Sequence, residues 1–304
     1  MNIIKKNSIS IVLLSLSLSC IAQKQDSIIY KIIKNDTVAN IELKMDIIYP
    51  KKYSKNKKLT AMVFFFGGGW VAGNTAHFKR QAMYFASRGF VCFLPQYRTK
   101  KSHQTTPKES LKDAKSAIRY IKSNSKKYHI DPNKIIASGG SAGGQLAAAV
   151  ATTIKINGET DDLSISTIPN ALVLFNPVVD NGPGGYGYDR VKDYYLDFSP
   201  MHNIKKSTPP TLFLLGTKDL LVPVSTAKNY KNKMENEGSR CDVWLFKDQE
   251  HAFFNFKESK ESNYNYYRTV YEADRFLASL GYLKGKPKVK KLPNITDIEV
   301  YELK

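Results

Sequence analysis

Gly139-Gly140-Ser141-Ala142-Gly143 follows the pattern G-x-S-x-G, in which a serine hydroxyl is raised on a sharp strand-to-helix corner to attack an acyl carbon. A serine hydroxyl is a weak nucleophile at neutral pH, so this chemistry requires a histidine base and an acid to orient it. The chain contains five histidines. In such an architecture the histidine comes last in chain order, which sets aside His77, His103 and His129 and leaves His202 and His251. His251 is chosen, because it follows the strand-like run Asp242-Val243-Trp244-Leu245-Phe246 after a short polar loop, Lys247 to Glu250. His202 has no strand before it and reads as a surface or loop-anchoring residue. The acid must lie between serine and histidine at a strand end. Thr211 to Gly216 followed by Thr217-Lys218-Asp219 supplies Asp219. Asp180, after Pro177-Val178-Val179, is the rival, and Asp248 stands too close to His251 to be favoured.

A tetrahedral intermediate needs donors for its oxyanion. Val63-Phe64-Phe65-Phe66 runs directly into Gly67-Gly68-Gly69-Trp70, a strand ending in a loop whose lack of side chains lets backbone N–H groups approach a substrate oxygen. Gly68 and Gly69 are the expected donors, joined by the amide of Ala142, the residue after the serine.

These residues must be positioned by elements of the right kind. Ile135 to Ser138 is apolar and of strand length, and Gln145 to Thr152 is alanine-rich and helix-forming, so Ser141 falls between strand and helix. Further strand-like runs occur at Ile28 to Ile33, Ile41 to Ile48, Leu59 to Phe66, Phe90 to Leu94, Ala171 to Asn176, Thr211 to Gly216 and Asp242 to Phe246. Thr106-Pro107 opens a helix with Leu111, Ala114, Ile118 and Ile121 on one face, a crossover between parallel strands. The expectation is an α/β chain with a mostly parallel sheet of about eight strands and helices on both faces.

Together, the Gly67-Gly68-Gly69-Trp70 loop, Tyr97-Arg98 after the next strand, the corner at Ser141, Asp219 in Gly216-Thr217-Lys218-Asp219, and His251 resemble the α/β-hydrolase esterases. The resemblance is nearest to hormone-sensitive-lipase-like and bacterial acetyl xylan or feruloyl (BD-FAE-like) esterases, over about residues 40 to 280. It implies a serine carboxylesterase removing short acyl groups, acetyl above all, from a polysaccharide such as xylan. One departure stands out, since the family loop normally begins with histidine and this chain has Phe66. The same machinery also suits an arylformamidase or a peptidase. A non-catalytic carbohydrate-binding protein on a hydrolase scaffold is the alternative from another class.

A length of 304 residues with 42% hydrophobic content suits one large core. Lys5 and Lys6, the apolar stretch Ile9 to Leu18 and a small-residue site at Ala22 read as an export signal over 1–22, too short to span a membrane. The expected product is secreted or periplasmic; lipidation of Cys20 is the alternative and would supply the one membrane attachment. The hydrolase domain is assigned to 23–283 and a basic tail to 284–304, where Ile295 to Tyr301 either packs on the body or stays loose. Cys92 and Cys241 fall inside predicted strands and read as buried free thiols. The net charge of +19 is carried by dispersed lysines, a solvated surface rather than a nucleic-acid site.

Gly182-Pro183-Gly184-Gly185-Tyr186-Gly187 formally matches G-x-G-x-x-G, but it lies late in the chain with proline where a helix would begin, so no dinucleotide site is assigned. No P-loop, paired CxxC or H-E-x-x-H occurs; neither cofactor nor metal is expected. The segment reads instead as a mobile loop beside the site, with Trp70, Tyr186 and Tyr188 as candidate substrate-binding rings and Tyr194 and Tyr195 following. The expected partner is an acylated carbohydrate or small ester.

Overall fold

The computed structural model describes residues 23–34, 39–51, 53, 57–258, 263–289 and 300–303. The proposed export signal and Cys20 lie outside the described residues. Among the described residues, no helix is long and apolar enough to cross a membrane.

The elements, in chain order, are β1 (Gln25–Ile33), β2 (Ile41–Ile48), β3 (Leu59–Phe65), α1 (Lys79–Ser87), β4 (Val91–Pro95), α2 (Lys100–His103), α3 (Pro107–Ser123), β5 (Ile130–Gly140) and α4 (Ala142–Thr152). They continue with β6 (Ala171–Phe175), α5 (Tyr188–Val191), α6 (Tyr195–Phe198), β7 (Thr211–Gly216), α7 (Val224–Asn236), β8 (Cys241–Phe246), α8 (Tyr264–Ser279) and β9 (Val300–Glu302). The strands form one nine-stranded sheet in the order β1-β2-β4-β3-β5-β6-β7-β8-β9. The six strands from β4 to β8 in that order pair in parallel, while β1, β2 and β9 join antiparallel at the edges.

Both faces of the sheet are covered, so its central strands are apolar almost without interruption. Successive β3 side chains divide between two cores: Ala61, Val63 and Phe65 pack with α3, α4 and α7, and Met62 and Phe64 pack with α1 and α8. The α3 crossover starts in a capping box between Thr106 and Glu109, with Pro107 in its first turn. Its Leu111, Ala114, Ile118 and Ile121 are buried. Asp113 on the same helix is also buried and takes hydrogen bonds from Arg98 Nε at 2.7 Å, Arg98 Nη2 at 3.0 Å and Lys31 Nζ at 2.8 Å. The two cations compensate a carboxylate that burial alone would disfavour.

Two features differ from the sequence reading. β5 begins at Ile130, upstream of the expected Ile135, because Ile130 pairs with Leu59 across a register shift and the polar stretch from Asp131 to Lys134 interrupts the apolar run that marks the strand. The sheet also has a ninth strand: Val300–Glu302, from the segment assigned to the tail, pairs with Trp244–Phe246. The folded body therefore extends beyond residue 283. Cys92 in β4 and Cys241 in β8 are free thiols, and burial pushes both well above the usual thiol range.

Candidate active site

The corner at Ser141 is built by backbone contacts. Ser141 has φ 53° and ψ −120°, a conformation L-residues rarely adopt, and it links the last residue of β5 to the first of α4. Its N–H donates to Phe175 O at 3.0 Å and its carbonyl accepts from Gln145 N at 3.0 Å. A Cβ on Gly139 would stand 2.3 Å from Gly143 O, and one on Gly143 would stand 2.1 Å from Phe65 O. Only glycine fits at either position, and the second contact sets the start of α4 against the end of β3, where the glycine loop begins.

His251 closes a chain of hydrogen bonds. Its Nε2 lies 2.9 Å from Ser141 Oγ and its Nδ1 lies 2.7 Å from Asp219 Oδ2. The carboxylate leaves Nδ1 as the protonated nitrogen, so Nε2 is the free acceptor for the serine proton. The second oxygen of Asp219 accepts from Leu221 N at 2.9 Å and Val222 N at 3.0 Å. Buried as it is, the carboxylate is fixed in direction by three hydrogen bonds. The loops carrying Asp219 and His251 are sewn together: Lys218 N donates to Gln249 O and Asp248 N donates to Thr217 Oγ1. Ser141 and His251 are half-buried, so the pair is open to a substrate.

The rivals go elsewhere. His202 Nδ1 is 3.0 Å from Ser199 Oγ, while Asp180 Oδ1, 4.0 Å from the ring, accepts from Gly182 N at 3.0 Å, so both serve the loop. Asp248 forms a surface ion pair with Lys218.

Asn176 was not singled out by its sequence, in which it is one polar residue between Phe175 and Pro177. It is fully buried at φ 35°, just after β6, with its side-chain nitrogen 3.1 Å and 2.9 Å from the two ring nitrogens of His251. Both nitrogens already bond in the ring plane, so the amide stands over the face of the imidazole and fixes its tilt.

The glycine loop leaves β3 next to the serine. Gly68 (φ 117°) and Gly69 (φ 63°) occupy conformations that favour glycine, and Ala142, in the first turn of α4, has an N–H with no partner inside its helix. Phe66, in place of the histidine expected from the resemblance, stacks on Tyr97 with centroids 3.9 Å apart and planes 11° apart. The Tyr97 hydroxyl donates to Phe66 O at 2.7 Å. At the other end, Arg190 Nη1 donates to Gly69 O at 2.7 Å. The loop is thus stiffened without its usual first residue.

One candidate substrate ring must be corrected. Trp70 is 1% exposed, its Nε1 donates to Gln145 Oε1 at 3.3 Å, and its ring packs edge-on against Phe198; it is part of the core under the loop, out of reach of a sugar. Tyr186 remains half-buried, and its hydroxyl stands 2.8 Å from where a Cβ on Gly69 would be. Tyr188 packs edge-on against Tyr195 and Tyr195 against His202, while Tyr194 packs against Phe198. Among the described residues, no group of three or more His, Cys, Asp or Glu side chains is arranged to hold a metal ion.

A strained serine on a strand-to-helix corner of a mostly parallel sheet, bonded to a histidine and a buried aspartate, defines a hydrolase of the α/β class. A family model described as BD-FAE matches residues 45–183, and the dienelactone hydrolase family model matches 184–282. Esterase 2 of Thermogutta terrifontis, phosphoramylated by tabun, is 36% identical, with a TM-score of 0.80 and coverage of 86% of this chain and 97% of its own. Its propionate-bound form is 35% identical, with a TM-score of 0.78 and coverage of 86% and 96%. The chain belongs to the esterases of the α/β-hydrolase fold. It is also similar to an acetylxylan esterase of Xylanibacter ruminicola, 27% identical over 62% of this chain and 39% of that protein. Esterase LipC of Mycobacterium tuberculosis is 25% identical over 62% and 51% respectively. The chain therefore spans about half, or less, of the length of these two curated relatives.

Proposed function

We propose that this chain is a serine carboxylesterase that removes short acyl groups, acetyl in particular, from a polysaccharide such as xylan, with Ser141 as nucleophile, His251 as base and Asp219 as its orienting acid. The observation that carries the reading is the unbroken hydrogen-bonded chain from Ser141 Oγ through His251 to Asp219 at a strained corner. In this reading Ser141 Oγ attacks the ester carbon as its proton passes to His251 Nε2. The oxyanion is received by the amides of Gly68, Gly69 and Ala142. The alcohol leaves with the proton from His251, and water, activated by the same nitrogen, releases the acid from the acyl-enzyme.

Three observations support a short acyl group on a sugar. The nucleophile and base are open to solvent, the Thermogutta esterase has been solved with propionate and butyrate, and one relative is an acetylxylan esterase. Acetate release from acetylated xylan, measured against long-chain triglyceride hydrolysis at equal enzyme concentration, tests the substrate; rapid triglyceride cleavage without acetate release would sink it. For the acid, Asp219→Asn is expected to lower kcat by about 10⁴, whereas Asp180→Asn leaves it within about threefold, as expected for a residue outside the relay. The reverse pattern would reassign the acid. Export with cleavage after Ala22 belongs to the same proposal. Mass spectrometry of the native N-terminus tests it, and a diacylglyceryl mass on Cys20 would replace it with a lipid anchor.

A further inference from the structure

His77 is excluded from the base's role by chain order, yet the fold carries it to the edge of the site. Its Nδ1 accepts a hydrogen bond from Gly67 N at 2.9 Å, and its Nε2 lies 2.8 Å from Asn255 Oδ1. A backbone N–H can only donate, so Nδ1 must be the bare nitrogen and the ring proton must sit on Nε2, donated to Asn255. The ring is neutral in this arrangement, and burial lowers its pKa in the same sense. It is packed between Phe78, with centroids 4.7 Å apart, and Phe254, at 5.7 Å. Its own mount is firm: the one-turn helix Thr75–Phe78 is capped by Asn74, and Thr75 Oγ1 donates to Asp46 Oδ2 at 2.6 Å.

The two partners of His77 belong to different halves of the reaction. Gly67 opens the loop whose next two amides are assigned to the oxyanion. Asn255 ends the turn that begins at His251, where Asn255 N donates to Ala252 O at 3.1 Å. Directing the Gly67 N–H to His77 fixes the peptide plane from which Gly68 and Gly69 turn. Holding Asn255 fixes the far end of the base's loop.

We propose that His77 is a positioning residue that ties the oxyanion loop to the loop of the base and sets the distance between them. The inference rests on the assignment of Ser141, His251 and the glycine-loop amides made above. It predicts a loss in turnover rather than in substrate binding, because the geometry it fixes matters most once the oxyanion has formed.

The test compares His77→Phe, which keeps a ring in the aromatic stack but neither hydrogen bond, with His77→Gln, whose amide offers an acceptor and a donor at a similar separation. On p-nitrophenyl acetate, His77→Phe is expected to lower kcat by about tenfold to a hundredfold, less than the full loss of an oxyanion donor, with KM within about twofold. His77→Gln is expected to recover most of that loss. Asn255→Ala is expected to lower kcat in the same way, and its effect should not add to that of His77→Phe, since both break one link. If His77→Phe fails to fold, as judged by thermal unfolding, His77→Gln and Asn255→Ala decide the matter: the proposal requires a kcat loss for Asn255→Ala and near-normal kcat for His77→Gln. A wild-type kcat in His77→Phe or in Asn255→Ala, with Ser141→Ala inactive, would overturn the role of His77. Activity retained by Ser141→Ala would overturn the underlying site assignment instead.

Discussion

The serine corner and the glycine loop are both glycine-rich turns at the ends of neighbouring parallel strands, β5 and β3, yet they are held differently. The corner is held by main-chain contacts, with the glycines at 139 and 143 against carbonyls of the corner itself and of the end of β3 that no side chain would tolerate. The glycine loop has main-chain bonds of its own, from Val71 N and Ala72 N to Gly68 O, and adds side chains from elsewhere in the chain: Tyr97 on Phe66 O, His77 on Gly67 N and Arg190 on Gly69 O. A turn fixed by its own steric limits carries its signature in five consecutive letters. The side chains a turn borrows from elsewhere leave none.

The sharpest test of the comparison is at the corner. Ser141→Ala is expected to lower kcat by on the order of 10⁶, with His251→Ala costing about as much, because the residues act as a unit, and the melting temperature should hardly move. Gly143→Ala tests how tightly the corner is packed against the end of β3. With a Cβ required 2.1 Å from Phe65 O and 2.3 Å from Phe66 O, the backbone must shift. The expected cost is about 3 kcal/mol, or roughly 6–12 °C in melting temperature. A melting temperature within error of wild type would show that the corner has room after all.

The glycine loop should respond the other way. Arg190→Ala removes the donor on Gly69 O and is expected to lower kcat/KM by about tenfold, equivalent to about 1.4 kcal/mol, with only a small change in melting temperature. An unchanged kcat/KM alongside a large drop in stability would place Arg190 with the core rather than with the loop.

The smallest effect is expected at the far end of the corner's helix. Lys115 is buried and donates to Thr153 O at 2.9 Å and Ile154 O at 3.4 Å, past the last turn of α4, and burial, aided by Arg119, lowers its pKa to about 7. The folded-state value lies below the ordinary lysine value of 10.5. The unfolded chain therefore binds more protons across that window, and stability from this group rises with pH from about 7 towards 10.5. Urea midpoints at pH 7 and 9 should show a gain in wild type relative to Lys115→Met on the order of 1 kcal/mol. Parallel pH dependences in the two proteins would contradict it.

What the sequence disclosed divides along the same line. The three residues joined in the hydrogen-bonded chain each follow a strand with a clear apolar pattern, directly or after a short loop, so local order was enough to select them. Asn176, His77 and Arg190 sit in no motif of their own. Each acts through a partner 75, 10 or 121 residues away in the chain, and only the packing of the sheet brings them there. Trp70 shows the converse, since a tryptophan beside a glycine loop looks available to a substrate until α4 and Phe198 close over it. β9 escaped notice because three residues are too few to display a strand's alternation.

The bond from Arg190 to Gly69 carries a consequence for how such an enzyme changes over time. Arg190 lies on the short α5 within the stretch between Pro177 and Pro200, and its guanidinium also lies over the rings of Trp70 and Tyr186. That stretch also carries Tyr186, whose hydroxyl stands beside Gly69, so it is a natural place for a lineage, or a designer, to graft a new preference. Here the graft would carry away a support of the glycine loop as well. On the proposed assignment selectivity and speed share a part in this molecule, and exchanging the insertion for that of a relative should preserve turnover only when the arginine travels with it.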